Sequence, residues 1–328
     1  MKQIVAIMAL LSGSVWAQSN SALDVPTHPS AGNGPSYSQM YCSGFITRRS
    51  VPRTNFIVAS KEAPHPDQFG GRTVLFLGGS GLEEGERYSV LRQVEDPNRE
   101  DSSPEQRKKL GKLGKLYQEI GWVTVRSVRK NSTVATFDFS CDVAVPGDIV
   151  VPFQEKPLLS FRELDPPVNS FSPYTGDFTG HILGSKDFIG LLSSGTIVYT
   201  DYGARKGAEP GDYLLVRRGY APADLNRVDR LSAQLPRGVD PNAVNQAKIK
   251  PDANDQLPSH VLGEMLVLNV TSDSSTALIT RSFAEMELGD VVEGEFVRDG
   301  YTEKPRRSCG IVSQVGLLLH FHSCQSGQ

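Results

Sequence analysis

Two aspartates in matching sequence contexts are the residues of this chain whose type and spacing could most readily support chemistry. Asp148 follows Gly147 in the stretch SCDVAVPGDIV, and Asp290 follows Gly289 in SFAEMELGDVV. Two related lobes that each supply one aspartate are the arrangement of an aspartic protease, in which the two carboxyls share a proton. Hydrolysis by paired aspartates is therefore one hypothesis for this chain.

The Gly-Asp pair occurs again at Gly211 and Asp212, and Glu86 occupies the matching place in EEGERYSVLR. No Asp-Thr-Gly or Asp-Ser-Gly sequence is present. Glycine adopts unusual backbone angles, and aspartate bonds neighbouring amides, so this repeated pair favours a turn over catalysis. The predicted structural turn residues are Gly147, Asp148, Gly211, Asp212, Gly289 and Asp290.

Other motifs that carry chemistry are missing from the sequence. The Gly-rich stretch FLGGSGLEEG lacks the spacing and the lysine of a phosphate-binding loop. No Cys-x-x-C pair is present, which disfavours zinc binding and thiol redox catalysis. We therefore predict no catalytic, cofactor-binding or metal-binding residues, no cofactor, and a protein that is not an enzyme.

The two Gly-Asp stretches belong to an internal repeat. With a shift of 142 positions, residues 120–150 align without a gap on residues 262–292, and nine of the 31 aligned positions are identical. Unrelated sequences of ordinary composition would share about two. The chain is therefore predicted to contain the same structural unit twice.

The repeat extends upstream with small gaps. TVLFL at residues 73–77 resembles TIVYT, and EEGERYSVLR at 83–92 resembles EPGDYLLVRR at 209–218. Further upstream, SGFI at residues 43–46 resembles TGHI at 179–182. On this alignment the two repeats cover about residues 43–152 and 179–294.

The alignment places each cysteine of the first repeat opposite a phenylalanine of the second. Cys42 falls opposite Phe178, and Cys141 falls opposite Phe283. If the two positions touch in the fold, one repeat can join them by a disulfide where the other packs two aromatic rings. We therefore predict a Cys42–Cys141 disulfide and a packing pair of Phe178 and Phe283.

The N-terminus has the pattern of a secretory signal peptide. Lys2 is followed by an apolar run and by small residues that end at Ala17, so cleavage is expected after this alanine. Export to the periplasm or the extracellular space follows, and an even number of cysteines in an exported chain is typical of disulfides. The two remaining cysteines are expected to form a second disulfide, Cys309–Cys324.

Composition and local patterns favour β structure. The chain has 31 glycines and 21 prolines, and its short runs are rich in Val and Thr. Stretches such as VTVRSV and TVATFDFS are strand-like, and turn-forming residues lie between them. The predicted fold is mainly β, with two tandem related small β-barrel or sandwich modules that carry polar insertions.

Breaks in this pattern give the predicted domain organisation. Proline-rich and polar stretches separate or interrupt the modules. The predicted order is a signal peptide at residues 1–17, a disordered N-terminal segment at 18–41, β module 1 at 42–155, a Pro-rich linker at 156–177, β module 2 at 178–296 with a mobile insertion at 221–259, and a C-terminal tail at 297–328.

Charge and hydropathy exclude some partners. The formal net charge is −3, with no general basic excess, so nucleic acid is not an expected partner. No run after the signal peptide approaches the roughly 18 apolar residues of a spanning helix, so no membrane span is expected in the mature chain.

The stretches TIVYTDYGARKGAEPGDYLLVRR and LGEMLVLNVTSDSSTALITRSFAEMELGDVVE resemble the C-terminal module of the flagellar assembly protein T family, which also occurs beside LysM domains. The two-repeat layout is similar to that of an uncharacterised family of secreted bacterial proteins. The resemblance covers most of residues 43–294 and rests on short turn motifs, so it implies a fold more than a function. No LysM segment is recognisable here, and the module alone does not imply a flagellar role.

These patterns predict an exported, non-enzymatic cell-envelope protein that acts as a structural or protein-interaction module. The alternative is a protein that binds cell-wall glycan, in particular peptidoglycan, through exposed aromatic rings. A hydrolase with paired aspartates is the third hypothesis. The expected partner is thus an envelope protein or a cell-wall glycan. The candidate glycan-binding rings are Tyr88, Tyr117, Trp122, Tyr199, Tyr202 and Tyr213.

Overall fold

Two closed antiparallel barrels of six strands each make up the body of the protein. The predicted fold, mainly β with two tandem small barrels, is confirmed. None of the described helices is long and apolar enough to span a membrane. The structure is a computed structural model that describes residues 33–61, 72–98, 104–130, 132–162, 171, 179–219 and 259–294.

The first barrel closes in the strand order β5-β4-β7-β2-β3-β6, and strand β1 is added outside the ring on β5. A helix, α2, lies between β4 and β5. The elements are β1 (Phe45–Thr47), β2 (Asn55–Ser60), β3 (Val74–Gly78), β4 (Arg87–Val94), α2 (Pro104–Leu113), β5 (Lys115–Arg129), β6 (Ser132–Ser140) and β7 (Ile149–Pro152).

The second barrel closes in the order β10-β13-β12-β11-β15-β8, and β9 pairs with β14 in a separate two-stranded sheet. A short 3-10 helix, Ala204–Lys206, follows β10. The strands are β8 (Thr179–Ser185), β9 (Leu191–Leu192), β10 (Ile197–Thr200), β11 (Tyr213–Arg218), β12 (His260–Val270), β13 (Ser275–Ser282), β14 (Met286–Glu287) and β15 (Val291–Gly294).

Side chains fill the interior of each barrel. Strands alternate between the two faces, and along β6 the inward residues Ala135 and Phe137 are fully buried. In the second barrel the corresponding core includes Met265 and Ile279, which are also buried. Both interiors are therefore packed cores, as expected for barrels with few strands.

The strand order shows how the two repeats correspond. Read around each ring, β5-β4-β7-β2-β3-β6 matches β12-β11-β15-β8-β10-β13. Backbone hydrogen bonds fix the register, because Ile57 N donates to Asp148 O at 2.9 Å and Ile182 N donates to Asp290 O at 2.9 Å. Strand β2 is therefore the counterpart of β8.

This register corrects the upstream part of the sequence alignment. The pairing of SGFI at residues 43–46 with TGHI at 179–182 is wrong, because SGFI leads into β1 rather than β2. Strand β1 lies outside the ring of six. A match of four residues is too short to separate a true repeat from chance similarity, whereas the gapless 31-residue match agrees with the topology.

A glycine is required at the same point of both repeats. Gly121 in β5 and Gly263 in β12 occupy equivalent positions, and each lies against the backbone of the next strand. A Cβ added at Gly121 would collide with Phe139 O, and one added at Gly263 would collide with Arg281 O. The identity of this position in the alignment thus reflects a close approach of two strands.

A short helix, α1 (Tyr37–Tyr41), precedes the first barrel. Ser36 caps it in a capping box with Gln39. The prediction of disorder for residues 18–41 is therefore wrong for residues 33–41. Residues 33–41 are folded because Tyr37 and Tyr41 pack on the barrel wall. The polar composition of the segment did not indicate these contacts.

Several predictions lie outside the described residues. These are the signal peptide at 1–17, the C-terminal tail at 297–328, and the insertion at 221–259 apart from Ser259. The predicted linker at 156–177 is described at residues 156–162 and at Phe171. Leu159 and Phe161 in this linker pack against the outside of the second barrel.

Candidate functional site at the junction of the two barrels

The three Gly-Asp pairs that were predicted to form turns share one geometry. Gly147, Gly211 and Gly289 have φ values of +91°, +98° and +105°, a region that favours glycine. In each turn the aspartate carboxylate accepts a hydrogen bond of 2.8 Å from the backbone N–H three residues earlier. The donor and acceptor residues are Val145 and Asp148, Glu209 and Asp212, and Glu287 and Asp290.

Two of these aspartates are also held by arginines at equivalent positions. Arg92 contacts both oxygens of Asp148 at 2.8 and 2.7 Å, and Arg218 contacts both oxygens of Asp290 at 2.7 and 2.9 Å. The hydrogen bond to Asp148 raises the pKa of Arg92. Each pair is a bidentate ion pair between the Gly-Asp turn and a neighbouring strand.

Sequence reasoning missed these arginines, although the signal was present. Arg92 ends the stretch EEGERYSVLR, and Arg218 ends the matching stretch EPGDYLLVRR. An arginine and an aspartate that both recur at matching positions of the two repeats predict an ion pair in each repeat. Asp148 lies in the first barrel and Asp290 in the second. The carboxylate of each is bonded to an arginine of the same barrel.

The predicted Cys42–Cys141 disulfide is confirmed. The two Cα atoms are 5.5 Å apart, and the bond joins positions 99 residues apart in sequence. Cys42 ends helix α1, and Cys141 directly follows β6. The disulfide therefore fastens the N-terminal segment to the wall of the first barrel.

Cys42 does not occupy the position that the repeat alignment gave it relative to Phe178. Cys42 precedes the extra strand β1 and has no counterpart in the ring of the second barrel, so its alignment with Phe178 is wrong. Phe283 is the counterpart of Cys141, but its side chain is 48% exposed. Phe178 lies outside the described residues, as do Cys309 and Cys324.

Aromatic rings pack around helix α1. Trp122 stacks on Phe139, with ring centroids 4.2 Å apart, and Tyr37 and Tyr41 contact Trp122 edge-on. Phe153 stacks on Tyr41 at 5.6 Å. Aromatic pairs of this kind add stability beyond the area they bury. The same helix directs Met40 into an apolar cluster on the second barrel, so it contacts both barrels.

Hydroxyl groups of the second barrel cap the backbone of the β1 segment. Strand β1 pairs with β5, and its other side faces β13. The capping bonds satisfy backbone carbonyls that are buried at the junction. They run from Tyr199 Oη to Ser43 O at 3.0 Å, from Thr276 Oγ1 to Gly44 O at 2.9 Å, and from Ser274 Oγ to Ile46 O at 2.8 Å.

A cleft of about 190 Å³ opens between the barrels beside the disulfide. Glu119 from the first barrel and Lys186 and Asp187 from the second contribute to its lining. The carboxylate of Glu119 contacts Lys156 Nζ at 2.6 Å and accepts a hydrogen bond from Gly44 N at 3.1 Å. The Glu119 carboxylate is therefore bonded to neighbouring groups of the protein itself.

Burial raises the pKa of Tyr199, which also borders the cleft. Its side chain is 1% exposed, and its hydroxyl is engaged with Ser43 O. The nearby carboxylates of Glu119 and Asp187 act in the same direction as burial. Tyr199 thus stays protonated and acts as a hydrogen-bond donor at the junction.

Asp201 forms a second charged cluster, with His181 and Lys206. Burial alone would raise the pKa of Asp201, but the hydrogen bond and charge of His181 and the charge of Lys206 lower it below its usual value. Its Oδ1 accepts a hydrogen bond from His181 N at 2.6 Å. The carboxylate is thereby held ionised directly after β10.

The outer wall of the second barrel contains buried ion pairs. Arg217 Nε lies 2.5 Å from Glu293 Oε2, and both side chains are almost fully buried. Glu264 contacts Arg162 from the linker and Arg281 from β13, the latter at 3.3 Å. Buried pairs of this kind fix geometry more than they add stability.

The candidate glycan-binding rings do not form an exposed platform. Five of the six are at most 6% exposed, and Tyr213 is half-buried beneath Arg162. Across the described residues, no group of three or more His, Cys, Asp or Glu side chains could hold a metal ion. The named rings therefore do not form an exposed binding surface in this part of the chain.

Comparison with known proteins gives no family assignment. No protein-family model matches the chain, and no curated protein is significantly similar to it. The fold and the site define a pair of repeated β-barrels, in which a disulfide fastens the N-terminal segment to the first barrel.

Proposed function

We propose that this chain is an exported, non-enzymatic protein of the bacterial cell envelope that acts as a rigid protein-interaction module. The Cys42–Cys141 disulfide supports export, because such bonds persist in oxidising compartments. The resemblance to flagellar assembly protein T modules stays a prediction that fits the same location. The chain would present the outer walls of two packed barrels to a partner protein.

The observation that carries the proposal is an exposed apolar pair on the first barrel. Phe56 and Val58, both in β2, are 40% and 48% exposed. They lie beside each other over Gly78, because a Cβ added there would be 3.0 Å from the Phe56 ring and 3.1 Å from Val58. The pair forms a small contiguous apolar surface, and contiguous apolar surface is the feature that marks interaction sites when it is large.

The hydrogen bonding of two acidic residues supports a non-enzymatic role. The carboxylates that could have formed a catalytic pair, Asp148 and Asp290, each have both oxygens bonded to an arginine. A general acid or base needs an oxygen that can reach the substrate. The hydrolase hypothesis therefore gains no support from this geometry.

The glycan-binding alternative gains no support from the aromatic rings named for it, because most are buried. Its direct test is sedimentation of the purified mature chain with washed peptidoglycan sacculi. Saturable sedimentation that persists at physiological salt would replace the protein-interaction proposal with wall binding.

The experiment for the main proposal is site-specific photo-crosslinking in intact cells. A photoreactive residue at Phe56 should yield a discrete adduct with an envelope protein. The matched control is the same residue at Val128, which is 46% exposed elsewhere on the first barrel. A Val58→Ser change should weaken the Phe56 adduct. No adduct at Phe56, equal adducts at both positions, or a reduced chain in the cytosol would contradict the proposal.

A further inference from the structure

A concentration of positive charge lies where helix α2 meets strand β1. We define it as the basic patch: Arg48, Arg49, Lys108, Lys112, Lys115 and Arg205. All six side chains are exposed. The chain as a whole has a formal charge of −3, so this patch is a local departure from the average.

Backbone contacts hold the first part of the patch together. Thr47 pairs with Lys115 in the sheet, which places Arg48 and Arg49 beside the end of α2. The Arg48 side chain donates a hydrogen bond to Lys112 O. A Cβ at Gly114 would collide with Thr47 O, so the two segments touch. The cations are therefore neighbours through the fold and not only through the sequence.

The orientation of α2 adds two lysines to the same surface. Leu110 and Leu113 turn into the apolar cluster at the barrel junction, and Gln106 donates to Leu183 O. Lys108 and Lys112 are four residues apart on the opposite, exposed side of the helix. Within the part of the chain that the structure describes, no ion pair involves either lysine.

The second barrel extends the patch across the junction. Asp273 lies between two arginines, with Arg205 Nη1 at 2.8 Å and Arg48 Nε at 3.7 Å. One carboxylate thus faces two guanidinium groups, and the net charge at this point remains positive. The arrangement joins the barrels and continues the positive surface from one to the other.

From this charge distribution we infer that the basic patch docks on an anionic phospholipid bilayer. The inference rests on the proposed envelope location, where such surfaces are present. Lysine and arginine near an anionic membrane each contribute about a fivefold gain in affinity. Helix α2 has no aromatic residue on which a nucleobase could stack, which disfavours nucleic acid.

The contact would remain at the headgroups. The leucines of α2 face the junction, so the helix offers no apolar side to the acyl chains. Binding therefore depends on charge alone and weakens as salt screens it. A peripheral attachment of this kind orients the two barrels without inserting them.

The test is co-sedimentation of the purified mature chain with vesicles of phosphatidylcholine, with and without phosphatidylglycerol. Binding should require phosphatidylglycerol and decline as salt rises. The double variant Lys108→Ala/Lys112→Ala should bind about thirtyfold more weakly, since it removes two of the membrane-facing cations. Alanine is a good helix former, so α2 should persist in this variant.

The matched control is Arg129→Ala/Lys130→Ala, which removes the same charge from exposed positions at the far end of β5. It should bind like the wild type. Equal losses in both variants, no binding to anionic vesicles, or binding only to a single-stranded oligonucleotide would overturn the inference. Because the assay needs no protein partner, its failure leaves the crosslinking result at Phe56 to decide the proposed function separately.

Discussion

The Tyr199 hydroxyl in the second barrel donates a hydrogen bond to Ser43 O, in the segment that leads into β1, at 3.0 Å. Both residues are buried, and 156 positions separate them in sequence. This bond joins the two barrels at the point where the disulfide fastens the N-terminal segment. It makes the junction a structural element in its own right.

Replacement of Tyr199 by phenylalanine should destabilise the junction. The ring would keep its packing with Ile46 and Leu183, but Ser43 O would lose its donor in a buried place. The expected loss in the free energy of unfolding is about 1–2 kcal/mol. Urea denaturation would measure it, and an unchanged midpoint would mean that water or another donor replaces the hydroxyl.

Removal of the Asp148 charge should destabilise the first barrel. In Asp148→Asn the partly buried Arg92 would lose its bidentate ion partner and keep the more distant Asp142 at 3.9 Å, with a cost of about 3 kcal/mol. Asp290→Asn should act in the same way through Arg218. Thermal unfolding would measure both effects.

The control for these variants is Glu86→Gln, in the exposed copy of the turn, where the expected change is under about 0.5 kcal/mol. An acid-dependent hydrolytic activity that disappeared in Asp148→Asn or Asp290→Asn, with the fold intact, would contradict the structural role.

Loss of the disulfide should lower stability more than any single hydrogen bond. In Cys42→Ala/Cys141→Ala, the unfolded chain regains the freedom of a loop of about a hundred residues. The expected cost is about 4 kcal/mol in the chain-entropy model. Denaturation with and without reductant would test this, since the wild type should lose more stability on reduction than the variant, which keeps Cys309 and Cys324.

Peptide mapping of the oxidised protein should recover Cys42 bonded to Cys141. The second predicted bond, Cys309–Cys324, can be read from the same digest. A Cys42 peptide joined to Cys309 or Cys324 would be incompatible with the structure.

Acid should weaken the second barrel through Asp201. The pKa of this carboxyl is lower in the folded protein than its ordinary value of 3.8. The folded protein therefore binds the proton less tightly than the unfolded chain does. Its contribution to stability is complete above that value and is lost as the pH falls through the lower, folded value. Asp201→Asn should therefore be less stable than the wild type at neutral pH.

The stability difference between Asp201→Asn and the wild type should shrink as the pH falls through the folded pKa of Asp201. Urea unfolding at several acidic pH values would measure this trend. Asp187→Asn, at an exposed position of the same barrel, is the control and should show little difference at any pH. A constant difference for Asp201→Asn would show that its effect is not ionic.

The sequence alone determined the repeated unit and the β class. Local features are enough for these conclusions: alternating apolar residues predict strands, and a gapless repeat predicts a second copy of the same unit. The turn residues could be read for a similar reason, because glycine and aspartate act within three or four positions of themselves.

Only the tertiary structure decided which elements meet across the chain. It showed that β2 is the counterpart of β8, and that residues 33–41 fold because Tyr37 and Tyr41 find aromatic partners. It also showed that most of the rings suggested for glycan binding are buried. The physical reason is that burial and partner choice depend on contacts between residues about a hundred or more positions apart, as between Ser43 and Tyr199, and no local pattern encodes them.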